Sequence, residues 1–388
     1  MRILCVGGGS GGHVTPVVAI TSAIRAQRPD AEIRFITDKR FLAQARDLFG
    51  PLDVPVSTVL AGKLRRYANL RWYDHIQHFF ISYIPNFFDL FKIALGVCQS
   101  WFKLLAFRPD VIFIKGGYVG LPVGLAAALL WPHRPIVLHD SDVHPGLTNR
   151  ILSRYAVRIG TGMPTKYYDY PKSKVQYVGI PVTADIAPLS VAGKRAVRGE
   201  LGLDEDEPMV LVAGGSQGSR TINQAILAAY PSIKGHADVL LVTGQKNYAD
   251  VVATVKEHPR NFIKLRIVEY LAQGQMNVAE KAADLVIARA GATTLAELAM
   301  LGKPTIIVPS PYLAADHQTK NAEIFAEANA AIVLSEDDLS NLATEILRVL
   351  DDKKLQTELS ENIKKLARPD AAERMAEMIL EVGDGKAR

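Results

Sequence analysis

Short apolar runs with the character of buried strands alternate with helical patterns along almost the whole chain of 388 residues. The predicted strands are Arg2–Val6, Glu32–Thr37, Val111–Ile114, Ile136–His139, Val157–Gly160, Val210–Ala213, Val239–Thr243, Ile263–Val268, Leu285–Ala288 and Thr305–Val308. Continuously apolar strands separated by helices are typical of parallel sheets that are buried on both faces. The alternation therefore predicts an α/β fold with doubly wound parallel sheets.

A glycine-rich turn follows the first strand of each half of the chain, as CVGGGSGGH from Cys5 and as LVAGGSQGSR from Leu211. This repeat of architecture predicts two Rossmann-like domains, residues 1–183 and 184–369, joined by a strandless linker. A last helix in residues 370–388 is expected to pack back on the first domain. In open α/β sheets, ligands bind at the carboxyl ends of the strands. We therefore expect the ligands in a cleft between the two domains.

The composition is that of an ordinary soluble protein, with 48% hydrophobic residues and a formal net charge of +5. This modest positive charge is compatible with an anionic substrate or an anionic membrane surface. The two cysteines, Cys5 and Cys98, lie in a predicted buried strand and an apolar helix, so packing rather than a disulfide is expected. We find no signal peptide and no uncharged apolar run of about 18 residues.

The first glycine turn, Gly7-x-Gly9-x-x-Gly12, matches the dinucleotide-binding fingerprint. Asp38, near the end of the second strand, keeps the nicotinamide interpretation open, and a tight turn without a ligand is the simpler alternative. His13 does not belong to that fingerprint. A neutral histidine near a helix N-terminus can act as a general base near pH 7, although packing on the loop explains it equally well.

Two further glycine turns follow predicted strands. KGGYVGLP, from Lys115, is expected to expose Tyr118 at its tip, and a plain strand–helix turn is the preferred interpretation for that stretch alone. AGGSQGSR, from Ala213, is more specific. Its glycines form a backbone nest for an anion, and Ser216 adds a hydroxyl group.

The stretch ARAGATTLAELAMLGKP is the most informative one in the chain. Gly291 opens a helix whose free N–H groups suit a diphosphate. Glu297, one turn further on, cannot favour phosphate, but a carboxylate suits two ribose hydroxyls. Its simpler role is to interact with the helix dipole. Downstream, Asp316, His317 and Gln318 form a second polar cluster, suited to sugar hydroxyls.

These motifs, in this order, resemble the MurG family, the undecaprenyl-diphospho-muramoylpentapeptide β-N-acetylglucosaminyltransferases of peptidoglycan synthesis. The resemblance rests on GGGSGGHVTP, GGYVGLP, LHDSDVHPGLTNR, VGIPV, GGSQGSRTIN, ARAGATTLAELAMLGKP, DHQTKNA and PDAAERMAEMI. It implies a GT-B fold and an inverting transfer of GlcNAc from UDP-GlcNAc to the C4 hydroxyl of the muramoyl sugar of lipid I, which gives lipid II. It also implies no metal and no cofactor at the site, and no nucleic-acid partner.

The resemblance also implies roles for individual residues. The catalytic candidates are His13 and Asp142. The implied substrate-binding residues are Ser10, Gly11, Gly12, Tyr118, Asp142, Thr183, Ser216, Gln217, Leu271, Ala292, Thr293, Thr294, Leu295, Ala296, Glu297 and Gln318. In this scheme Leu271 holds the uracil through its backbone, Glu297 the ribose and Gln318 the GlcNAc hydroxyls.

The chain departs from the family pattern at three places. Asp142, in HDSD, stands where the family usually has Asn, and Thr183, in GIPVT, stands where it usually has Arg. The stretch after Leu271 is a couple of residues longer than usual. Either His13 or Asp142 therefore remains a candidate for the base.

The segment from Arg71 to Phe107 holds eleven of the 29 aromatic residues. Asn86, Asp89, Lys92, Gln99 and Lys103 form a polar stripe, and apolar residues cover the rest of the predicted helix. A helix of this kind is either buried or lies in a membrane interface. Basic residues precede it, namely Lys63, Arg65, Arg66 and Arg71. With a lipid-linked acceptor, we expect peripheral attachment to anionic lipid on the cytoplasmic side of the cell membrane.

Three other functions fit the same features less well. The resemblance of HDSDVHPGLTNR to the family motif argues against another GT-B enzyme with a lipid acceptor. A UDP-GlcNAc 2-epimerase has no need for the aromatic segment. A non-catalytic subunit that binds sugar nucleotides does not require intact motifs in both halves.

Overall fold

The computed structural model describes residues 1–9, 11–64, 83–130, 135–183, 187–215, 217–312 and 316–386. The chain divides into two compact units. The first comprises Met1–Thr183 with Arg368–Arg388, and the second comprises Ala184–Ala367. Each unit is built around one parallel sheet.

The first unit holds a seven-stranded sheet in the order β3-β2-β1-β4-β5-β6-β7. Its strands are β1 Arg2–Val6, β2 Glu32–Thr37, β3 Val56–Thr58, β4 Val111–Ile114, β5 Ile136–Asp140, β6 Ala156–Thr161 and β7 Val175–Tyr177. Its helices up to the linker are α1 Gly11–Gln27, α2 Leu42–Phe49, α3 Ile84–Phe107, α4 Gly120–Leu130 and α5 Leu147–Leu152. All neighbouring strands run parallel, and the central ones are buried along their whole length.

The second unit holds a six-stranded parallel sheet in the order β10-β9-β8-β11-β12-β13. Its strands are β8 Met209–Ala213, β9 Asp238–Val242, β10 Leu265–Val268, β11 Leu285–Ala288, β12 Thr305–Ile307 and β13 Ile332–Val333. Its helices are α6 Val191–Glu200, α7 Arg220–Ile233, α8 Tyr248–Glu257, α9 Gln273–Ala282, α10 Ala292–Leu301, α11 His317–Glu327, α12 Leu342–Asp351 and α13 Lys353–Lys365. Short 3-10 turns occur at Gly50–Leu52, Thr165–Tyr167, Pro259–Asn261 and Glu336–Asn341.

The last helix, α14 Ala371–Gly383, belongs to the core of the first unit. Its buried face, which includes Met375 and Ile379, packs with residues of β1, β2 and α1 in one hydrophobic cluster. The chain therefore returns to the first sheet after completing the second one.

The predicted α/β class with doubly wound parallel sheets is confirmed by these two sheets. The strands that sequence analysis missed are β3, β7 and β13, which have only two or three residues. All three lie at the outer edge of a sheet, where one side has no neighbouring strand. Such short, half-buried strands carry too little apolar periodicity to be recognised. The predicted linker contains a helix, α6, which is capped by the Ser190 hydroxyl.

The aromatic helix α3 buries only one stripe, which carries Asp89, Ile93, Gly96, Ser100, Leu104 and Phe107. Gly96 lets this stripe approach the chain closely, because an added Cβ would collide with the Leu60 carbonyl oxygen. The expected packing of Cys98 is wrong, since this thiol lies on the exposed side of the helix. Among the described residues, α3 is the one helix long and apolar enough to cross a membrane by length and composition. The three charged residues in it are why no uncharged run was found.

Candidate functional site

The two glycine turns of the first unit lie side by side at the point where its strand order reverses. β1 and β4 are neighbours in the sheet, and the turns follow Val6 and Ile114 directly. Gly117 has a positive φ of 73°, and a Cβ there would collide with the Gly8 carbonyl oxygen. The carboxyl ends of strands at such a reversal form the usual ligand crevice of an open sheet.

His13 lies in the first turn of α1 and borders both glycine turns. Its side chain is half-buried, and no partner for its enclosed Nδ1 atom is found in the described part of the chain. Burial lowers the pKa of His13 to about 4, with a further lowering by Lys115 and an opposing effect of Asp142. The imidazole is therefore neutral at pH 7, the form that accepts a proton.

The HDSD stretch comprises the last two residues of β5, His139 and Asp140, and the start of the turn that follows. Asp140 accepts hydrogen bonds from Asn149 Nδ2 at 2.8 Å and from the Tyr170 hydroxyl at 2.6 Å. Burial raises the pKa of Asp140, although these two hydrogen bonds oppose the shift. The backbone carbonyl of Asp142 accepts a hydrogen bond from the Tyr168 hydroxyl at 2.9 Å. The turn is thus fixed at both ends, which places Asp142 in electrostatic range of His13.

Lys115, which begins the second glycine turn, is a buried lysine that sequence analysis did not single out. Its Nζ atom donates to the Ser141 hydroxyl at 2.6 Å. Burial lowers the pKa of Lys115 to about 8, while Asp140 and Asp142 oppose the shift. The only available signal was a lysine between the apolar strand β4 and two glycines.

Tyr118 is not exposed at the tip of its turn, as was expected, but half-buried. Its ring lies against Gly9, and burial together with Asp38 raises the pKa of its hydroxyl to about 12. The Asp38 carboxylate accepts hydrogen bonds from the backbone N–H groups of Gly9 at 3.1 Å and Arg40 at 2.8 Å. Asp38 therefore holds the first glycine turn in place, which disfavours the nicotinamide interpretation.

In the second unit, the turn Gly214–Gly218 follows β8. Gly218 has a φ of +71°, and a Cβ there would collide with the Thr243 carbonyl oxygen. The helix that follows, α7, is capped by Ser219, whose hydroxyl accepts from Ile222 N at 3.3 Å. Gln217 is exposed on this turn, and Ser216 lies outside the described residues, as does Ser10 of the first unit.

Arg289 directly follows β11, and its guanidinium group forms hydrogen bonds near the ends of other strands of this unit. It donates to the carbonyl oxygens of Val308 at 3.1 Å and Pro309 at 3.0 Å, and to the Ser219 hydroxyl at 2.7 Å. It also forms an ion pair with Glu336. The structure thereby fixes the glycine turn after β8 next to the start of α10. Sequence analysis missed this residue, although its charge stands out in an otherwise small and apolar stretch.

Helix α10 begins at Ala292, after an extended Gly291 that provides no side-chain cap. The first-turn N–H groups of such a helix lack intrahelical acceptors and suit an anion. Ala292 and Leu295 are buried, whereas Thr293, Thr294, Ala296 and Glu297 are half-buried. β8 and β11 are neighbours at the reversal of the second sheet, so this helix start lies in its ligand crevice.

Glu297 lies near a second carboxyl group, that of the buried Glu280 on α9. Burial and then the proximity of Glu297 raise the pKa of Glu280 well above its usual range, while Lys303 opposes the shift. Burial therefore favours the neutral form of Glu280, and Glu297 is the half-buried carboxyl group near it. Lys303 Nζ donates to the backbone carbonyls of Lys281 and Ala283, both at 2.7 Å, which joins α9 to the turn before β12.

The remaining predicted substrate-binding residues lie at three separate positions. Gln318 is buried in the first turn of α11, and its Oε1 accepts from Ser310 N at 2.9 Å. Leu271 is buried just before α9. Thr183 is exposed at the end of the first unit. The substrate-binding roles of these residues stay predictions.

The predicted site residues therefore form two groups. His13, Gly11, Gly12, Tyr118, Asp142 and Thr183 belong to the first unit. Gln217, Leu271, Glu297, Gln318 and the first two turns of α10 belong to the second. Within the described ranges, no group of three or more His, Cys, Asp or Glu side chains is arranged to hold a metal ion.

Two family models match the chain. The glycosyltransferase family 28 N-terminal domain matches residues 3–161, and the C-terminal domain of the same family matches residues 209–375. These two ranges contain the whole second sheet, the first sheet except β7 and the first residue of β1, and nearly all of the predicted site residues.

Relatives that align with nearly the full length of the chain share one enzyme name with each other. The UDP-N-acetylglucosamine–N-acetylmuramyl-(pentapeptide) pyrophosphoryl-undecaprenol N-acetylglucosamine transferase of Salinibacter ruber is 39% identical, covering 99% of this chain and 97% of the relative. A Bacillus cereus protein of that name, numbered 1, is 33% identical, covering 98% of each chain.

Solved structures show the same fold at lower identity. MurG of Acinetobacter baumannii superposes with a TM-score of 0.68 at 23% identity, covering 98% of this chain and 99% of that one. The UDP-GlcNAc 2-epimerase of Neisseria meningitidis, bound to UDP-GlcNAc, gives 0.68 at 10% identity, covering 98% of this chain and 100% of that one. Because the fold is shared by both, it does not by itself separate transfer from epimerisation.

Proposed function

The chain belongs to glycosyltransferase family 28, and we propose that it transfers GlcNAc from UDP-GlcNAc to the C4 hydroxyl of the muramoyl sugar of lipid I, forming lipid II. The observation that carries this proposal is the 39% identity, over nearly the full length of both chains, to a transferase named for this reaction. The arrangement of motifs at the two sheet reversals supports it, with the acceptor assigned to the first unit and the donor to the second.

The donor assignment follows from the chemistry of the second unit. The free N–H groups at the start of α10 and the backbone at Gly215 and Gly218 suit the diphosphate of UDP. The carboxylate of Glu297, half-buried in the second turn of α10, suits the two ribose hydroxyls. Gln318 already accepts a hydrogen bond through Oε1, so its amide NH2 is the group we assign to the GlcNAc hydroxyls.

The reaction proceeds by a single inverting displacement. The C4 oxygen of the acceptor attacks the anomeric carbon of GlcNAc, and the bond from that carbon to the phosphate oxygen breaks. The acceptor proton passes to a base, for which neutral His13 is the first candidate and Asp142 the second. The negative charge that develops on the leaving UDP is stabilised by the helix N-terminus of α10, because its N–H groups are fixed before the reaction begins.

The test of this function uses the purified full-length chain with UDP-GlcNAc and a lipid I analogue. We expect one disaccharide-bearing lipid and one UDP for each turnover. A parallel incubation with UDP-GlcNAc alone should leave the sugar unchanged by proton NMR. Formation of UDP-N-acetylmannosamine in that second tube would instead support the epimerase, and absence of the disaccharide would overturn the proposal.

We also propose that the chain attaches peripherally to the cytoplasmic face of the cell membrane. The exposed side of α3 supports this, with Phe87, Phe88, Phe91 and Phe102 between 57% and 65% exposed. Exposed aromatic groups in such a number are unusual for a helix that only packs on its own domain. The opposite stripe is packed on the first unit, which favours a helix lying in the interface over a helix that crosses the bilayer.

Charge supplies the second part of this attachment. Lys92 and Lys103 lie on the same helix, and Lys63 precedes it. The other predicted basic residues, Arg65, Arg66 and Arg71, lie outside the described residues. Basic side chains near an anionic surface contribute about 1 kcal/mol each. Because the lipid tail of the acceptor stays in the bilayer, an enzyme that uses it must reach the membrane surface.

A further inference from the structure

The ammonium group of Lys115 is an unusual feature of the first glycine turn. Lys115 is only 2% exposed, in a place where the turn itself needs no charged side chain. Burying a charge is costly unless it is paired and hydrogen-bonded. Here the Ser141 hydroxyl accepts from Nζ at 2.6 Å, and the carboxylates of Asp140 and Asp142 lie on either side of that serine in the chain. The site is therefore built around the lysine.

Two consequences follow from this position. The first is geometric, because the bond from Lys115 holds the middle of a turn whose ends are held by Tyr170 and Tyr168. The second is electrostatic, because the positive charge of Lys115 lies close to the imidazole of His13. No other part of the proposed mechanism uses this lysine.

We propose that Lys115 is a positioning residue for the transfer reaction, which fixes the turn that carries Asp142 and places a positive charge near the His13 imidazole. The effect on turnover rests on the proposed function. The effect on His13 does not, since it is a property of the folded chain without substrate.

The sign of the electrostatic effect follows from the groups that face His13. These are Lys115 on the second glycine turn, Asp142 on the turn after β5, and His139 within β5. Asp142 raises the pKa of His13, whereas Lys115 lowers it, after the larger lowering by burial. Removing the ammonium leaves Asp142 as the dominant charge. The pKa of His13 should then rise, so that a larger fraction of the imidazole is protonated towards pH 5 and cannot take the proton of the acceptor hydroxyl.

The test replaces Lys115 by Met, which keeps an unbranched side chain one atom shorter and removes its charge. The His13 ring is titrated by NMR in the substrate-free protein. We expect its pKa to rise by about one unit, the usual effect of a nearby charge. In the assay with UDP-GlcNAc and a lipid I analogue, kcat should fall, and the ratio of parent to variant kcat should grow from pH 7 towards pH 5.

Two matched variants separate charge from geometry. Ser141→Ala keeps the ammonium, so it should lower kcat without moving the His13 titration. Lys303→Met removes a buried lysine of the second unit, and it should also leave the His13 titration in place. If Lys115→Met does not fold, as judged by circular dichroism, Lys115→Gln serves for the same measurement, since it keeps a hydrogen-bond donor without the charge.

An unchanged His13 titration in a folded, uncharged Lys115 variant would overturn the electrostatic part of the proposal. An unchanged kcat in both Lys115→Met and Ser141→Ala would overturn the positioning part. If the parent makes no disaccharide, the proposed function fails, but the titration still decides the effect of Lys115 on His13.

Discussion

Single residues in this protein owe their chemistry to what surrounds them. His13 and Glu280 are ordinary titratable side chains in the sequence, yet the fold shifts the pKa of both. Burial, with a further effect of Lys115, lowers the pKa of His13 to about 4. Burial, with a further effect of Glu297, raises the pKa of Glu280.

Replacing Glu297 by Ala removes the charged acceptor that we assign to the ribose hydroxyls. The loss of hydrogen bonds to a charged group costs about 1.5–3 kcal/mol, so UDP affinity should fall by about tenfold or more in calorimetry. The control is Glu323→Ala, which removes an exposed carboxylate from α11 of the same unit. Equal UDP affinities in the two variants would contradict the assignment of Glu297 to the ribose.

Replacing the general base should slow turnover without weakening the binding of UDP. General-base catalysis contributes about 10²–10⁴ in rate, so His13→Ala should lose at least a hundredfold in kcat if His13 is the base. Asp142→Asn is the parallel variant for the second candidate. The variant with the larger kcat loss at unchanged UDP affinity identifies the base. A loss of only a few-fold in both would place the base elsewhere.

Among the elements, α3 differs most from an ordinary domain helix. Its buried stripe contains a carboxylate and a serine, while most of its aromatic side chains are exposed. The carboxylate of Asp89 is paired with Lys92 of the same helix at 2.7 Å. Gln99 Oε1 accepts from Leu60 N at 2.9 Å, and this hydrogen bond joins the helix to the domain. The exposed side of α3 is therefore largely apolar, and we assign this surface to the membrane interface.

The membrane assignment predicts that Phe88→Ser with Phe91→Ser weakens binding to vesicles that contain anionic lipid. The variant removes two exposed aromatic rings and so should not lower the free energy of unfolding. Ile263→Ser is the matched control, since Ile263 is 81% exposed in the second unit. Cosedimentation with vesicles measures the outcome, and equal binding by all three proteins would contradict the assignment.

Salt tests the electrostatic part of the same attachment. Changing Lys63, Arg65 and Arg66 together to Ser should lower vesicle binding and leave UDP binding unchanged. Binding of the parent should weaken as salt rises towards about 0.5 M, because screening shortens the reach of exposed charges. If the triple variant matches the parent at every salt concentration, the basic residues take no part.

In the whole molecule, the first unit is built from two separate parts of the chain, one before and one after the second unit. The last helix, α14, follows the second unit in sequence but completes the core of the first. The stability of the first unit therefore depends on residues that are synthesised after the second unit. The units nevertheless have separate hydrophobic clusters, so damage to one core need not reach the site of the other.

Ile379→Ala tests this division. Ile379 is fully buried in the cluster of the first unit, and truncating such a side chain costs about 2–5 kcal/mol. Urea denaturation should show this loss, whereas Glu377→Ala, an exposed position on the same helix, should remain near the parent. At low temperature UDP affinity should be unchanged in both, since we assign the nucleotide to the second unit. A loss of UDP affinity in the folded Ile379→Ala variant would contradict that assignment.

The class of the fold, most strand positions and the family could be predicted from the amino-acid sequence alone. Strong local signals explain this, since buried parallel strands such as Arg2–Val6 and Leu285–Ala288 are continuous apolar runs, and glycine turns are constrained by backbone sterics. Three short edge strands, β3, β7 and β13, were missed, and the exposure of Tyr118 and Cys98 was mispredicted. Those properties depend on which neighbours cover a residue, and local periodicity contains no such information.

The surroundings of the site depend on contacts between distant parts of the chain. Lys115 donates a hydrogen bond to Ser141, and two tyrosine hydroxyls donate to Asp140 and Asp142. Arg289 donates to Ser219 and so connects the ends of two strands. These partners are separated by 26 to 70 positions in the chain, so their contacts exist only after the strands take their places in the sheet. The pKa shifts of His13 and Glu280 likewise depend on the folded structure, because burial and nearby charges cause them.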